Sequence, residues 1–248
     1  MKIGIIGVGH IGKTLALKLA EAGHDTAVAN SRGPESIDQE VLSTGAQAVT
    51  VKQAIQGKDV IILSIPLNRI PDIAPLLADV PEGTTVIDTS NYYPARDSQI
   101  DAIEAGMVES LWVTEQLRHP IAKAWNAIGS RSLVVNGKPE GAEDRIAIPI
   151  AADREIDRNV IIQLINDTGF DSYDTGSLAD SWRQQPGAPA YCTVLTKTEL
   201  AAVIDKAEKQ RLPKRRDIAV AAMQERMGDA TTNPDLDYGL RLSRALFL

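Results

Sequence analysis

The chain has 248 residues, 44% hydrophobic and 24% charged, proportions ordinary for a soluble globular protein. That length accommodates one large α/β domain with an appendage, or two small domains, and folding it buries roughly 70–75% of the unfolded chain's surface. Twenty-six Lys and Arg against 33 Asp and Glu leave a formal charge of −7, and no basic run exceeds Lys214-Arg215-Arg216, which argues against nucleic acid or an anionic membrane as partner.

Ile3–Ile6 is apolar and ends at Gly7, the pattern of a strand buried on both faces. Ile11, Leu15 and Leu19 recur every four residues and Gly23 follows, predicting a helix from about Ile11 to Ala22. Next come a strand over Thr26–Ala29, a helix over Ser36–Leu42, a short strand over Ala48–Val51 and a buried strand over Asp59–Ile65 that Pro66 ends. A helix over Ile70–Leu77 and a strand over Thr85–Asp88 complete this half. Strands alternating with helices at this rhythm predict a parallel sheet with right-handed crossovers.

The alternation continues more weakly, with strands over Ile121–Ile128 and Arg145–Ala151. A helix over Glu155–Asp167 has Ile156, Val160, Ile161, Leu164 and Ile165 on one face. Gly169 stops it, and Asp171–Asp174 reads as one more strand. The texture changes at the turn-rich Gln184-Gln185-Pro186-Gly187-Ala188-Pro189. Thr196 and Glu199 then form a capping-box pattern ahead of Leu200, Val203, Ile204 and Ala207, and Pro213 suits the first turn of a further helix. The expected division is an α/β domain over residues 1–183 and a helical tail over 184–248. With one cysteine, Cys192, no internal disulfide is expected and a reducing compartment fits. No apolar stretch reaches about 18 residues and the first apolar run reads as a strand, so a cytoplasmic protein without a transmembrane helix is expected.

Gly7-Val8-Gly9-His10-Ile11-Gly12 matches GxGxxG directly after a strand and at a helix start, the context that makes the hexapeptide a dinucleotide signature. Gly7 permits the tight turn, Gly9 has no Cβ to block a pyrophosphate, and Gly12 lets helix and strand pack closely. The pyrophosphate then lies on free N–H groups at the helix's positive end, with His10 offering its backbone. After the second strand, Ala29-Asn30-Ser31-Arg32-Gly33 holds no carboxylate for a ribose 2′-hydroxyl. Ser31 and Arg32 instead supply a hydroxyl and a phosphate-matching guanidinium, favouring NADP(H) over NAD. Ligands of such sheets bind at the carboxyl ends of strands, so Ser64-Ile65-Pro66 and Thr89-Ser90-Asn91 are expected to border the cofactor. Asp88 reads better as a capping group than as a catalytic acid.

Through GIIGVGHIGKTLALKLAEAGHDTAVANSRGPES, LSIP, IDTSNYYPARD, KAWN, AIPIAADRE and DTGSLADSWRQQPGAPAY, the chain resembles the NADP oxidoreductases typed by the coenzyme F420-dependent NADP reductases. The resemblance covers about residues 1–192, is strongest in the first ninety, and extends loosely to the cytosolic ferric-reductase domain of the STEAP proteins. It implies a Rossmann-type, doubly wound, mostly parallel extended sheet, a homodimer, and hydride exchange between NADPH and a flavin or deazaflavin stacked on the nicotinamide. By resemblance, Gly9, His10 and Ile11 match the pyrophosphate loop, Ser31 and Arg32 the 2′-phosphate pair, and Ser64 to Pro66 the adenosine-side strand end. Asn91, Asn126 and Ile148-Pro149-Ile150 fall where nicotinamide and hydride partner meet. The archaeal deazaflavin enzymes end soon after the region matching Leu178–Ser181, whereas this chain adds about sixty residues. The NYYPARD and SWRQQPGAPAY segments mark a separate bacterial branch.

Hydride transfer between stacked rings asks for geometry more than side-chain chemistry, and near-attack placement contributes roughly 7–11 kcal/mol. His10, His24 and His119 are scattered and Cys192 has no partner cysteine, so no catalytic side chain and no metal site is assigned. His119 reads as a surface-loop residue; Trp125, Trp182 and Tyr92 each read as core, with a role beside bound rings as the alternative. Two other readings keep the cofactor. One is a reductase of a small carbonyl or imine, for which Lys123 is the candidate proton donor, although a solvated Lys123 reads better. The other is a non-enzymatic NADP(H) sensor whose tail meets a protein partner. The apolar end, Leu240–Leu248, has no obvious partner in its own domain and adds to the expectation of a homodimer.

Overall fold

A computed structural model describes residues 1–228 and 237–248. Within them, the strands β1 (Lys2–Ile6), β2 (Asp25–Ala29), β3 (Gln47–Ala48), β4 (Val60–Leu63), β5 (Thr85–Asp88), β6 (Ala122–Lys123), β7 (Ala147–Ala152) and β8 (Asp171–Asp174) form one sheet in the order β3-β2-β1-β4-β5-β6-β7-β8. The helices are α1 (His10–Glu21), α2 (Val51–Ile55), α3 (Ile70–Leu77), α4 (Pro94–Asp97), α5 (Asp101–Glu104), α6 (Glu109–Leu117), α7 (Ser130–Val135) and α8 (Glu155–Asp167). Beyond the sheet follow α9 (Lys197–Val203), α10 (Leu212–Met227) and α11 (Tyr238–Phe247). Every strand pair is parallel except β6 with β7. This is the expected Rossmann-type, mostly parallel extended sheet with a helical C-terminal region.

Alternation along the strands divides two apolar layers. Ile3 and Ile5 of β1 and Val60 and Ile62 of β4 face the core shared with α1 and α8, while Ile61 and Leu63 face the core under α2, α3 and α6. Gly4 is the small residue that brings α2 close to β1: a Cβ there would lie 1.6 Å from the Ala54 carbonyl oxygen. Strand order reverses between β1 and β4, so their carboxyl ends diverge into a crevice.

Several local expectations change. Ser36–Leu42 is not one helix but the end of one 3-10 turn, Pro34–Ser36, and a second, Gln39–Leu42. The Ser36 hydroxyl bonds the Gly33 carbonyl and Asn30, an alternative to helical pairing. The third strand is only Gln47–Ala48, because Thr50 and Gln53 form a capping box that starts α2 at Val51. The sixth strand is only Ala122–Lys123, and the chain turns away at Trp125, whose φ is +56°. On α8, Ile156 is exposed and Asp157 takes a buried position, held by Arg154 and by the Thr85 hydroxyl at 2.8 Å.

The capping box at Thr196–Glu199 and Pro213 in the first turn of α10 are both present. Ahead of α9, residues 184–195 pack tightly: Gln184, Ala188 and Thr193 have no exposure, and a Cβ on Gly187 would lie 2.4 Å from the Leu212 carbonyl oxygen. The apolar terminus does find a partner in its own chain. Phe247 is buried, and Arg244 donates to the Thr193 and Val194 carbonyls at 2.7 Å each.

Lys123 is fully buried rather than solvated. Its Nζ donates to Asp88 Oδ2 and to the Ser90 carbonyl, each at 2.6 Å, while Asp88 Oδ1 accepts from Ser90 N as the capping expectation required. Removing one member of a buried ion pair strands the other charge, at a cost of roughly 3–5 kcal/mol. Lys123→Met should lose about that much stability in urea unfolding. The double substitution Asp88→Asn with Lys123→Met should lose less than Lys123→Met alone.

Candidate functional site

The glycine loop shows why each glycine is there. Gly7 has φ +103°, and a Cβ on it would lie 2.1 Å from the Ser64 carbonyl oxygen; one on Gly12 would lie 2.0 Å from the Gly7 carbonyl oxygen. These two are required by the protein's own packing. Gly9 is different: its backbone is extended and a Cβ would meet no protein atom within 4 Å. It stands at the N-cap of α1, where no side chain caps the helix and the first turn carries no acidic residue.

At the end of β2, Ser31 and Arg32 are exposed and Arg32 has no ion pair among the described residues. Asn30 braces their turn: its Oδ1 accepts from Arg32 N at 2.9 Å and its Nδ2 donates to the Ser36 hydroxyl at 2.8 Å.

Between the strand ends lies a cleft of about 350 Å³. Gly9, His10, Ile11, Ser64, Ile65 and Pro66 line one part of it, and Thr89, Ser90, Asn91, Trp125 and Asn126 the other. An amide chain fixes the second part. Asn91 Nδ2 donates to the Asn126 carbonyl at 2.8 Å, Asn126 Nδ2 to Asn91 Oδ1 at 3.1 Å, and Gln184 Nε2 to Asn126 Oδ1 at 2.9 Å. Among the described residues, the buried Ser90 Oγ and Trp125 Nε1 of these walls have no hydrogen-bond partner.

Pro149, expected beside the nicotinamide, does not line the cleft, and neither do His119, Trp182, Tyr92 and Lys123, for which a place there is only the alternative reading. Pro149 is buried inside β7, which runs antiparallel, so that Ala147 and Ile148 rather than Pro149 adjoin Ala127. His119 is buried at the entry to β6, its Nδ1 2.7 Å from the Pro120 carbonyl, and does not line the cleft. Trp182 stacks with Arg183, and Tyr92 is core, its hydroxyl donating to Glu104 at 2.8 Å. Lys123, held behind the loop, does not line the cleft either.

Tyr93, Arg96, Tyr191 and Cys192 line the cleft and were not singled out from the sequence. Their hydroxyls only 2.6 Å apart, Tyr93 and Tyr191 join the NYYPARD and SWRQQPGAPAY segments. Arg96 Nη2 donates to the Asn91 carbonyl at 2.6 Å and to Asp97 at 2.8 Å. Burial pushes the Cys192 thiol up to about 12, so it stays protonated and is no nucleophile at neutral pH.

A family model described as NADP oxidoreductase, coenzyme F420-dependent, matches residues 2–92. The Escherichia coli protein YjhV is 35% identical over 105 residues, which are 41% of this chain and 73% of YjhV. The hypothetical protein SMa0349 of Sinorhizobium meliloti is 31% identical with a TM-score of 0.69, over 79% of this chain and 96% of that structure. The chain belongs to this family. A candidate F420-dependent NADP reductase from Arthrobacter sp. FB24 shares its fold, with a TM-score of 0.58 at 15% identity over 90% of this chain and 95% of that one.

In this NADP oxidoreductase a further buried carboxyl group packs against the loop after β5. Glu109, at the start of α6, accepts from Tyr92 N and from Gln185 Nε2, each at 3.1 Å. Burial pushes its carboxyl up to about 7, against the opposing pull of Lys123. A carboxyl whose pKa is raised on folding stabilises the native state below its unfolded value near 4.5, and that contribution is lost as pH rises toward 7. Glu109→Gln removes the titration. Urea midpoints from pH 5 to 8 should show the variant gaining on the unmutated protein as pH rises; a constant difference would contradict the raised value.

Proposed function

We propose that the cleft binds NADP(H), with the pyrophosphate on Gly9, His10 and Ile11 and the 2′-phosphate on Ser31 and Arg32, and that hydride passes to a flavin- or deazaflavin-type acceptor beside the nicotinamide. The observation that carries this reading is Gly9, a glycine for which no protein atom accounts, at an uncapped helix start facing the crevice. When bound, NADPH supplies the hydride, so the protein's task is binding and orientation.

The residues present fit that task. Ser31 and Arg32 offer donors for a 2′-phosphate at the end of β2, with the Glu35 carboxylate packed nearby against Gly33. Ser64, Ile65 and Pro66 border the middle of the cleft, and Ser90, Asn91 and Asn126 border its far end with rigid amides. Buried Trp125 forms a dry wall there. Lys123 spends two protons on Asp88 and Ser90, which weighs against the small-carbonyl reading that needs it as donor. The same reading takes the protein as a cytoplasmic homodimer, with exposed Ile156 and Ile162 of α8 as candidate interface residues. A mass measurement at micromolar concentration checks the dimer.

Coenzyme choice is the direct test. A hydrogen bond to a charged group contributes roughly 1.5–3 kcal/mol, or about ten- to a hundredfold in affinity. Arg32→Ala should weaken NADPH by about that factor and leave NADH nearly unchanged, and Ser31→Asp should shift the preference further toward NADH. Gly9→Ala should weaken both coenzymes in a protein that still folds, because the new methyl meets no protein atom. Equal NADPH and NADH affinity in the unmutated protein, or parallel losses in Arg32→Ala, would sink the assignment.

A further inference from the structure

A second and larger cavity, about 540 Å³, lies between α7 and the tail helices α10 and α11. The apolar part of its wall is soft: Ala219, Val220, Met223 and Met227 share one face of α10, and Leu240 and Phe247 come from α11. It adjoins the dinucleotide cleft, for Tyr93, Gly129, Ser130, Tyr191 and Cys192 line both. The boundary is the Tyr93–Tyr191 pair, with its hydroxyl oxygens 2.6 Å apart. One hydroxyl of such a pair donates to the other, and the accepting hydroxyl keeps a proton to give elsewhere. Charge in the wall is matched: Arg131 faces Asp237 at 3.3 Å, and Arg216 donates to Asp217 at 2.8 Å while lying over the Tyr92 ring.

We propose that this chamber is the seat of the second substrate, a planar, mostly apolar ring system bearing a carbonyl or ring-nitrogen acceptor that meets the Tyr93–Tyr191 hydroxyls. The inference rests on the dinucleotide reading for its meaning and on the chamber alone for its location. A volume of 540 Å³ is within the range of small-molecule sites, and the apolar face of α10 together with the Tyr93–Tyr191 hydroxyls offers a ring both contact and a hydrogen bond, with Asn136 and Gln224 as further polar lining. Burial raises the pKa of both phenols, so they remain donors at neutral pH. Since α10 and α11 supply half of the wall, the tail helps to select the acceptor.

Two affinities measured separately on the full chain test this: NADPH by its fluorescence, and riboflavin, as the probe, by fluorescence anisotropy without nucleotide. Val220→Trp fills the chamber from α10 and Leu240→Trp from α11, and neither residue lines the dinucleotide cleft. The unmutated chain should bind one riboflavin, each Trp variant should bind it about tenfold or more weakly, and NADPH affinity should stay within about twofold. Tyr93→Phe should weaken riboflavin by about three- to tenfold, the loss of one hydrogen bond. No saturable riboflavin binding by the unmutated chain, or binding unchanged in a Trp variant that keeps its far-ultraviolet circular dichroism, overturns the chamber. Riboflavin binding that behaves as expected alongside failed NADPH binding supports the chamber and removes the dinucleotide reading instead.

Discussion

An ammonium group without access to water is stable only where its protons are taken up, and Lys123 gives two of them to Asp88 and the Ser90 carbonyl. Desolvating such a pair costs several kcal/mol per ion before the attraction offsets it, so its merit lies in what it holds in place. It ties the two-residue β6 to the carboxyl end of β5 and, through Asp88 Oδ1, fixes Ser90 N as well. The loop that follows thereby presents Asn91 to Asn126, and Asn126 to Gln184. One buried cation sets the geometry of three chain segments that are far apart in sequence.

The first half of the fold was legible because its signals are local. The run DVIILSI, the four-residue spacing of Ile11, Leu15 and Leu19, and GxGxxG at a strand–helix junction each state their structure within a dozen residues. Local signals also misled where side chains competed with the backbone. Ser36 broke a helix by bonding Gly33 and Asn30, and the Thr50–Gln53 capping box cut short a strand. Past Asn91 the pattern weakens for a different reason. The sixth strand is two residues long and ends in a left-handed Trp125, and no periodicity announces that kind of strand.

Of the candidate site, the residues at strand ends were legible from their place in the pattern, Asn126 only through resemblance, and the tyrosine pair not at all. Gly9, Ser31, Arg32 and Ser64 follow from their place after a strand. Tyr93 and Tyr191 are 98 positions apart, so neither residue's neighbours predict their contact. Lys123 is the instructive case: a lysine beside a short strand gives no sign in sequence that its charge is buried, since its partner lies 35 residues away. Pro149 does not line the cleft; it is buried in β7, which pairs antiparallel with β6.

The division among the glycines connects fold to chemistry. Gly7 and Gly12 are forced by close backbone approach, and any side chain there collides with Ser64 or with the loop itself. Gly9 is under no such constraint: the described residues leave open space where its side chain would stand, and the proposed pyrophosphate fits there. The tyrosine pair stands in the same relation to the other end of the cleft. Its two hydroxyls satisfy one another yet leave one proton over, at the place where cleft and chamber meet. A rigid nucleotide end is thus held by backbone, and an adaptable end is walled by methionines and a tail. Such an arrangement keeps the reaction's geometry fixed while the tail varies what enters to receive the hydride.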